Sequence, residues 1–209
     1  MKNSFVKIFL ITTHILIALP IRLIFNVKSN SSELKILKGR KYIIASNHPT
    51  KIDPFIILAS IPLNKYIKLV PIRFVTSEDY LSKWYYKPLL LSWGCVSNTT
   101  KNGKKPLDLL KDHLDKGETI FIFPKGELEK RGKNASPNVG VVYLEREVKN
   151  SYIIPVKVYI PGSLNIINLL KRNIKVEIKF REIFRHEKFS DDLQIMANDL
   201  MKRIENDRE

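Results

Sequence analysis

The chain has 209 residues, enough to bury a sizeable core, and that length favours one domain over two. An apolar share of 44% is ordinary for a globular protein, but 36 Lys and Arg against 21 Asp and Glu leave a net charge of +15. Such a balance points to nucleic acid, an anionic membrane surface or phosphorylated substrates, or else to a solvated basic surface without a specific partner.

The first element is apolar. Residues 5–26, FVKIFLITTHILIALPIRLIFN, hold a short apolar stretch between Lys7 and Arg22 that contains Thr12, Thr13 and His14 and meets Pro20, a helix breaker. No small-residue cleavage site follows, because ALPIRLIF continues apolar, so a cleaved signal peptide is not expected. The pattern predicts a helix from about Phe5 to Leu19 and a second piece after Pro20. Both would lie in or dip into one leaflet, with cationic residues meeting anionic head groups. A helix packed on the protein's own core and a single tilted span are the competing readings. Residues 1–29 are therefore assigned to membrane association and residues 30–209, which no repeat or low-complexity linker interrupts, to one globular domain.

That domain opens with a predicted strand at 41–46, KYIIAS, running into SNHPTKID. Asp53 before Pro54 is a strong helix-start signal, with Asp as N-cap and Pro at the first helical position of PFIILAS. His48 thus stands on a strand-to-helix connection, at the carboxyl edge where α/β sheets form their sites. A histidine takes a proton from a hydroxyl near neutral pH when a carboxylate fixes its tautomer, and Asp53 is the candidate carboxylate. Spacing alone leaves two readings open, a catalytic pair or a cap beside a loop histidine. No activated protein nucleophile stands nearby, so a base at His48 implies a hydroxyl belonging to a substrate.

Further strands are predicted at 67–75, 119–123, 152–160 and 174–181, the last alternating with one wet face. DYLSKWYYKPLLLSW, with Trp84, Tyr85 and Tyr86 between Lys83 and Lys87, reads either as an aromatic anchor at a lipid interface or as core filling. Cys95, the single cysteine, excludes a disulfide framework and any multi-cysteine metal site; it reads as an inert buried thiol in a reducing compartment. A helix opens at Pro106 and closes at Gly117, with Leu107, Leu110 and Leu114 on one face and His113 solvated on the other. Two more helices are predicted, one behind Ser136 and Pro137 and one behind Ser190. Strands alternating with helices imply an α/β fold: a largely parallel central sheet flanked by helices.

NHPTKID resembles the Asn-His-four residues-Asp box of the glycerolipid acyltransferases, which include 1-acylglycerol-3-phosphate acyltransferase. LSWGCVSNTTK, IFIFPKGELEKRGK and IIPVKV follow in the order of that family's second, third and fourth blocks, so the resemblance covers about residues 40–160. Phe123, Pro124 and Gly126 match the Phe-Pro-Glu-Gly-Thr-Arg pattern of the third block, and Gly140 falls where a helical glycine follows it. The resemblance implies transfer of a fatty acyl group from acyl-CoA or acyl-carrier protein to a hydroxyl of a lysophospholipid in phospholipid biosynthesis. It makes His48 the base, Asp53 its orienting partner, and Asn47, Lys101, Phe123, Pro124, Lys125, Gly126 and Glu127 substrate-binding. Backbone N–H groups near 47–49 or 124–127 are the candidate oxyanion donors.

Three departures bear on the acceptor. Lys125 replaces the usual Glu, Glu127 and Leu128 replace Thr-Arg, and Thr100, followed by Lys101, Lys104 and Lys105, stands where the second block carries Arg. Lysine binds phosphate as a point charge without arginine's planar fork. Two alternatives therefore stand beside the leading reading: the same chemistry on another hydroxylated lipid, such as a lyso-ornithine lipid or a glycosylated isoprenoid, and an inactive lipid-binding relative. No residue cluster implies a metal or organic cofactor. Nothing resembles a zinc finger, a basic recognition helix or an RNA-binding sheet, so nucleic acid is not an expected partner. The expected location is the cytoplasmic face of a membrane.

Overall fold

The computed structural model describes residues 3–100, 103–126, 136–160, 174–187 and 190–206. Its centre is a seven-stranded sheet of β1 (Lys28–Ser29), β2 (Lys41–Ser46), β3 (Ile72–Thr76), β4 (Cys95–Ser97), β5 (Thr119–Ile122), β6 (Ser151–Tyr159) and β7 (Glu177–Phe180). The strands lie in the order β1-β7-β6-β2-β5-β3-β4. Every neighbouring pair is parallel except β6 with β7, so β1 and β7 run against the other five. The expected α/β fold with a largely parallel sheet is what the chain forms.

Alternation along the central strands splits the core in two. Tyr42, Ile44, Phe121, Ile154 and Val156 face one side, where α1 (Asn3–Ile24), α2 (Asp53–Ser60) and α3 (Leu63–Leu69) cover them. Ile43, Ala45, Ile120 and Ile153 face the other, under α6 (Pro106–Asp115), α7 (Gly140–Glu147) and the C-terminal helix α8 (Leu193–Glu205). Burial on both faces is why β2 reads as an unbroken apolar run. In β7 only Ile178 and Phe180 are buried, and its other face is wet as expected.

Several sequence expectations shift. The helix at the N-terminus does not break at Pro20 but continues to Ile24. Proline removes one N–H bond there, while the turn beyond it is pinned by Arg22, whose guanidinium donates to the carbonyls of Ala59 and, at 3.2 Å, Ile61. Arg22 is thus turned toward the domain. The stretch 67–75 is half helix: α3 buries Tyr66 and Leu69, three residues apart, and the strand starts only at Ile72, after Pro71. Residues 95–97 add the short strand β4, for which Gly94 is required, since a Cβ there would collide with the Ile72 carbonyl oxygen.

Ser136 and Pro137 precede α7 without starting it, and α8 is capped by Asp192, whose carboxylate accepts from Gln194 N at 2.8 Å, and not by Ser190. His113 is not a free surface residue. Its Nδ1 lies 2.9 Å from Glu118 Oε2.

Candidate active site

β2 and β5 are parallel neighbours, so the loops that follow them emerge side by side at the carboxyl edge of the sheet. One carries His48, the other Phe123. Their rings stack with centroids 3.7 Å apart and planes 11° from parallel, and Phe123 in turn meets Phe121 edge-on at 5.2 Å. This aromatic column holds the imidazole in one orientation. His48 Nδ1 lies 3.0 Å from Asp53 Oδ2, so that nitrogen carries the proton and donates it to the carboxylate. Nε2 makes no hydrogen bond among the described residues and is left basic toward an adjoining cavity.

Asp53 is fully buried, and a buried carboxylate needs partners. It accepts from His48, from Thr50 N at 2.8 Å and from the Thr50 hydroxyl. The expected N-cap is therefore corrected: Asp53 is the first residue of α2, and its side chain bonds back into the loop and makes no cap hydrogen bond to the helix. Pro54 moves only from the first helical position to the second, still within the turn whose N–H groups have no partner in the helix, which is why the two readings look alike in sequence. Thr50, which the sequence marks as no activated nucleophile, serves instead as a donor to the acid, and its place three residues before Asp53 is the Thr-x-x-acid spacing of a capping box.

The cavity measures about 540 Å³ and runs from His48 and Gly126 between the sheet edge and the helices α1, α2 and α3. Its walls are mostly apolar, among them Leu58, Phe74, Trp93 and Leu10 of α1. Lys51 and Ser77 supply polar groups, and Cys95 lines it with a thiol that burial pushes up to about 12, too high to ionise as a nucleophile. Gly126 takes a positive φ of 71°, and a Cβ there would sit 3.0 Å from Asn138 Nδ2, so glycine favours the turn by which the loop after β5 folds back at the cavity's edge.

The remaining sequence candidates divide. Asn47 is buried and spends its amide on the sheet: Nδ2 donates to Val158 O at 2.9 Å and Oδ1 accepts from Val158 N at 2.7 Å, anchoring the loop root to β6. Pro124 O accepts from Asn138 N at 2.7 Å, which ties the third-block loop to the segment before α7. Lys125 points away from the cavity lining to Glu205 of α8, with Nζ 2.9 Å from Oε1. Lys101 and Glu127 lie outside the described residues. Of the backbone positions near 47–49 and 124–127, Pro49 and Pro124 have no N–H, and Gly126 N is taken by Phe123 O.

A sequence model of the family described as Acyltransferase matches residues 26–159, well over half of the chain. The chain belongs to the acyltransferase family. Its fold matches the crystal structure of the 1-acyl-sn-glycerophosphate (LPA) acyltransferase PlsC from Thermotoga maritima, with a TM-score of 0.61 and 19% identity. That match covers 92% of this chain and 79% of the other. No curated protein sequence matches the chain. The acyltransferase match begins two residues after α1 ends and stops at the last residue of β6, so it contains both loops that meet at His48.

Proposed function

We propose that this acyltransferase moves a fatty acyl group from acyl-CoA or acyl-carrier protein to the hydroxyl of a lysophospholipid such as 1-acylglycerol-3-phosphate, in phospholipid biosynthesis. The observation that carries the reading is the His48–Asp53 pair, clamped on Phe123 and opening onto an apolar cavity of about 540 Å³, within the roughly 300–1,000 Å³ span of small-molecule sites. His48 Nε2 accepts the proton of the acceptor hydroxyl as its oxygen attacks the thioester carbonyl. The tetrahedral intermediate collapses by breaking the C–S bond, and the proton passes from Nε2 to the departing thiolate. Asp53, acting through Nδ1, holds the tautomer and stabilises the imidazolium between the two transfers. The cavity takes the acyl chain, which brings thioester and hydroxyl together and excludes water.

α1 fits the same reading. It is 22 residues long and apolar enough to cross a membrane by length and composition, but Val6, Leu10, His14 and Ala18 seat one face on the domain. Its other face exposes Ile8, Ile15, Leu16, Leu19 and Leu23, which supports lying in one leaflet, on the cytoplasmic face where the donors are soluble. Acyl transfer by the purified protein, with one donor and a panel of lyso-acceptors, tests the proposal. Turnover with lysophosphatidate that disappears in His48→Ala is expected. Turnover confined to a lyso-ornithine lipid or a glycosylated isoprenoid would replace the acceptor, and lysolipid binding with no turnover would leave a lipid-binding relative.

A further inference from the structure

The cavity's walls are mostly apolar, and besides the polar groups near His48 and at Thr76 and Ser77 they include Thr13 and His14, which stand next to each other on α1. His14 is only 7% exposed, yet among the described residues neither ring nitrogen has a hydrogen-bond or charge partner. Neither nitrogen is sealed by packing, and His14 is one of the residues lining the cavity. The groups around it offer nothing. Tyr66 stacks flat on the imidazole at 4.1 Å and 13°, and its hydroxyl is directed to the Leu10 carbonyl at 3.4 Å. The Arg22 guanidinium, a cation like a protonated imidazole, donates to Ala59 and Ile61. Burial first, and Arg22 second, push His14 down to about 4, so the ring is neutral at physiological pH and presents one donor and one acceptor.

A plain hydrocarbon chain filling this space would strip water from the ring and return no hydrogen bond, a cost that a phenylalanine stacked on Tyr66 would avoid. We infer that the acyl chain held in the cavity carries an uncharged oxygen, a hydroxyl or oxo group, that hydrogen-bonds to His14. The inference rests on the proposal that the cavity holds an acyl chain, whether that chain arrives on the thioester donor or on the lysolipid. A neutral ring with both a donor and an acceptor suits a hydroxyl better than a carboxylate, and the apolar walls on either side suit the methylenes flanking it.

The test uses the full chain in two arms. In one, an unsubstituted acyl-CoA competes with chains of equal length carrying one hydroxyl at successive positions. In the other, the hydroxyl is placed on the chain of the lysolipid. In the arm that supplies the cavity, one positional isomer is expected to exceed the plain chain by about tenfold in kcat/KM, the worth of one hydrogen bond to a buried group. His14→Phe, which keeps the stack on Tyr66, should abolish that preference, and His14→Gln, which keeps a donor and an acceptor, should retain part of it. Plain chains favoured over every isomer in both arms, or a preference that survives in His14→Phe, would overturn the inference and leave a bound water as the partner of His14. Displacement of a fluorescent fatty acid by free hydroxylated and plain acids reads the cavity without turnover. If wild type transfers no chain at all, the proposed function fails, and this binding measurement still decides whether His14 selects oxygen.

Discussion

His48 and Asp53 form one unit chemically but not structurally, and their substitutions should separate. His48→Ala leaves Asp53 with both of its Thr50 donors and opens space only at the cavity's edge, so the melting temperature should hardly move. Its kcat should fall by about 10²–10⁴-fold, the usual contribution of a positioned base. Asp53→Ala strands three donors in a half-buried loop and should cost about 1–3 kcal/mol of stability besides the activity. Thermal melts beside single-turnover assays of the two variants check this; equal melts would mean that the loop does not depend on the carboxylate. Much of this pair was readable from NHPTKID, because a strand end, a histidine and an Asp-Pro helix start are local signals. The platform was not. Phe123 lies 75 positions from His48, and only the β2–β5 pairing makes them neighbours.

Among the elements, the pair of short helices α4 (Glu78–Leu81) and α5 (Lys87–Ser92) settles the ambiguity of the aromatic run between them. Trp84 is 83% exposed and Tyr85 55%, so they do not fill the core, and Lys83 and Lys87 flank them. α5 packs against α1, and Tyr80, Leu90 and Trp93 of the same region line the cavity. Trp84→Ser with Tyr85→Ser should weaken cosedimentation with anionic vesicles by about tenfold while leaving the fold intact, since each side chain removed is a surface group. Undiminished cosedimentation would assign the whole membrane contact to α1. Periodicity recovered β2, β5 and α6, which are regular over their length. It failed at 67–75, where an apolar run of helical spacing joins a strand through Val70–Pro71 and composition alone does not choose between them. It also failed at Pro20, where contacts from Arg22 to a different helix override a local breaker.

At the scale of the molecule, α1 is not an appendage to the sheet, because its first turn is locked into a buried ionic cluster. Glu118, at the entry to β5 and 2% exposed, accepts from Arg73 of β3, from His113 of α6 and from the Asn3 amide of α1, and Arg73 also donates to Asn3 Oδ1 at 2.8 Å. Burial by itself would raise the carboxyl's pKa; the hydrogen bonds from His113 and Arg73 outweigh it and hold the group at about 2, below its ordinary 4.5. A depressed acid stabilises the fold above its unfolded value, and that stabilisation drains away as pH falls from about 4.5 through about 2. The shift corresponds to about 3 kcal/mol at neutral pH. Glu118→Gln should therefore lower stability by an amount of that order at pH 7, and the gap from wild type should close progressively toward pH 2 in denaturant titrations. A gap that stays constant with pH would assign the cluster's worth to packing and neutral hydrogen bonds. Because the same helix that Asn3 tethers also walls the cavity with Leu10 and His14, acid that releases Glu118 should loosen the α1 wall of the cavity before the sheet itself melts, read as earlier loss of amide-exchange protection in α1 than in the central strands.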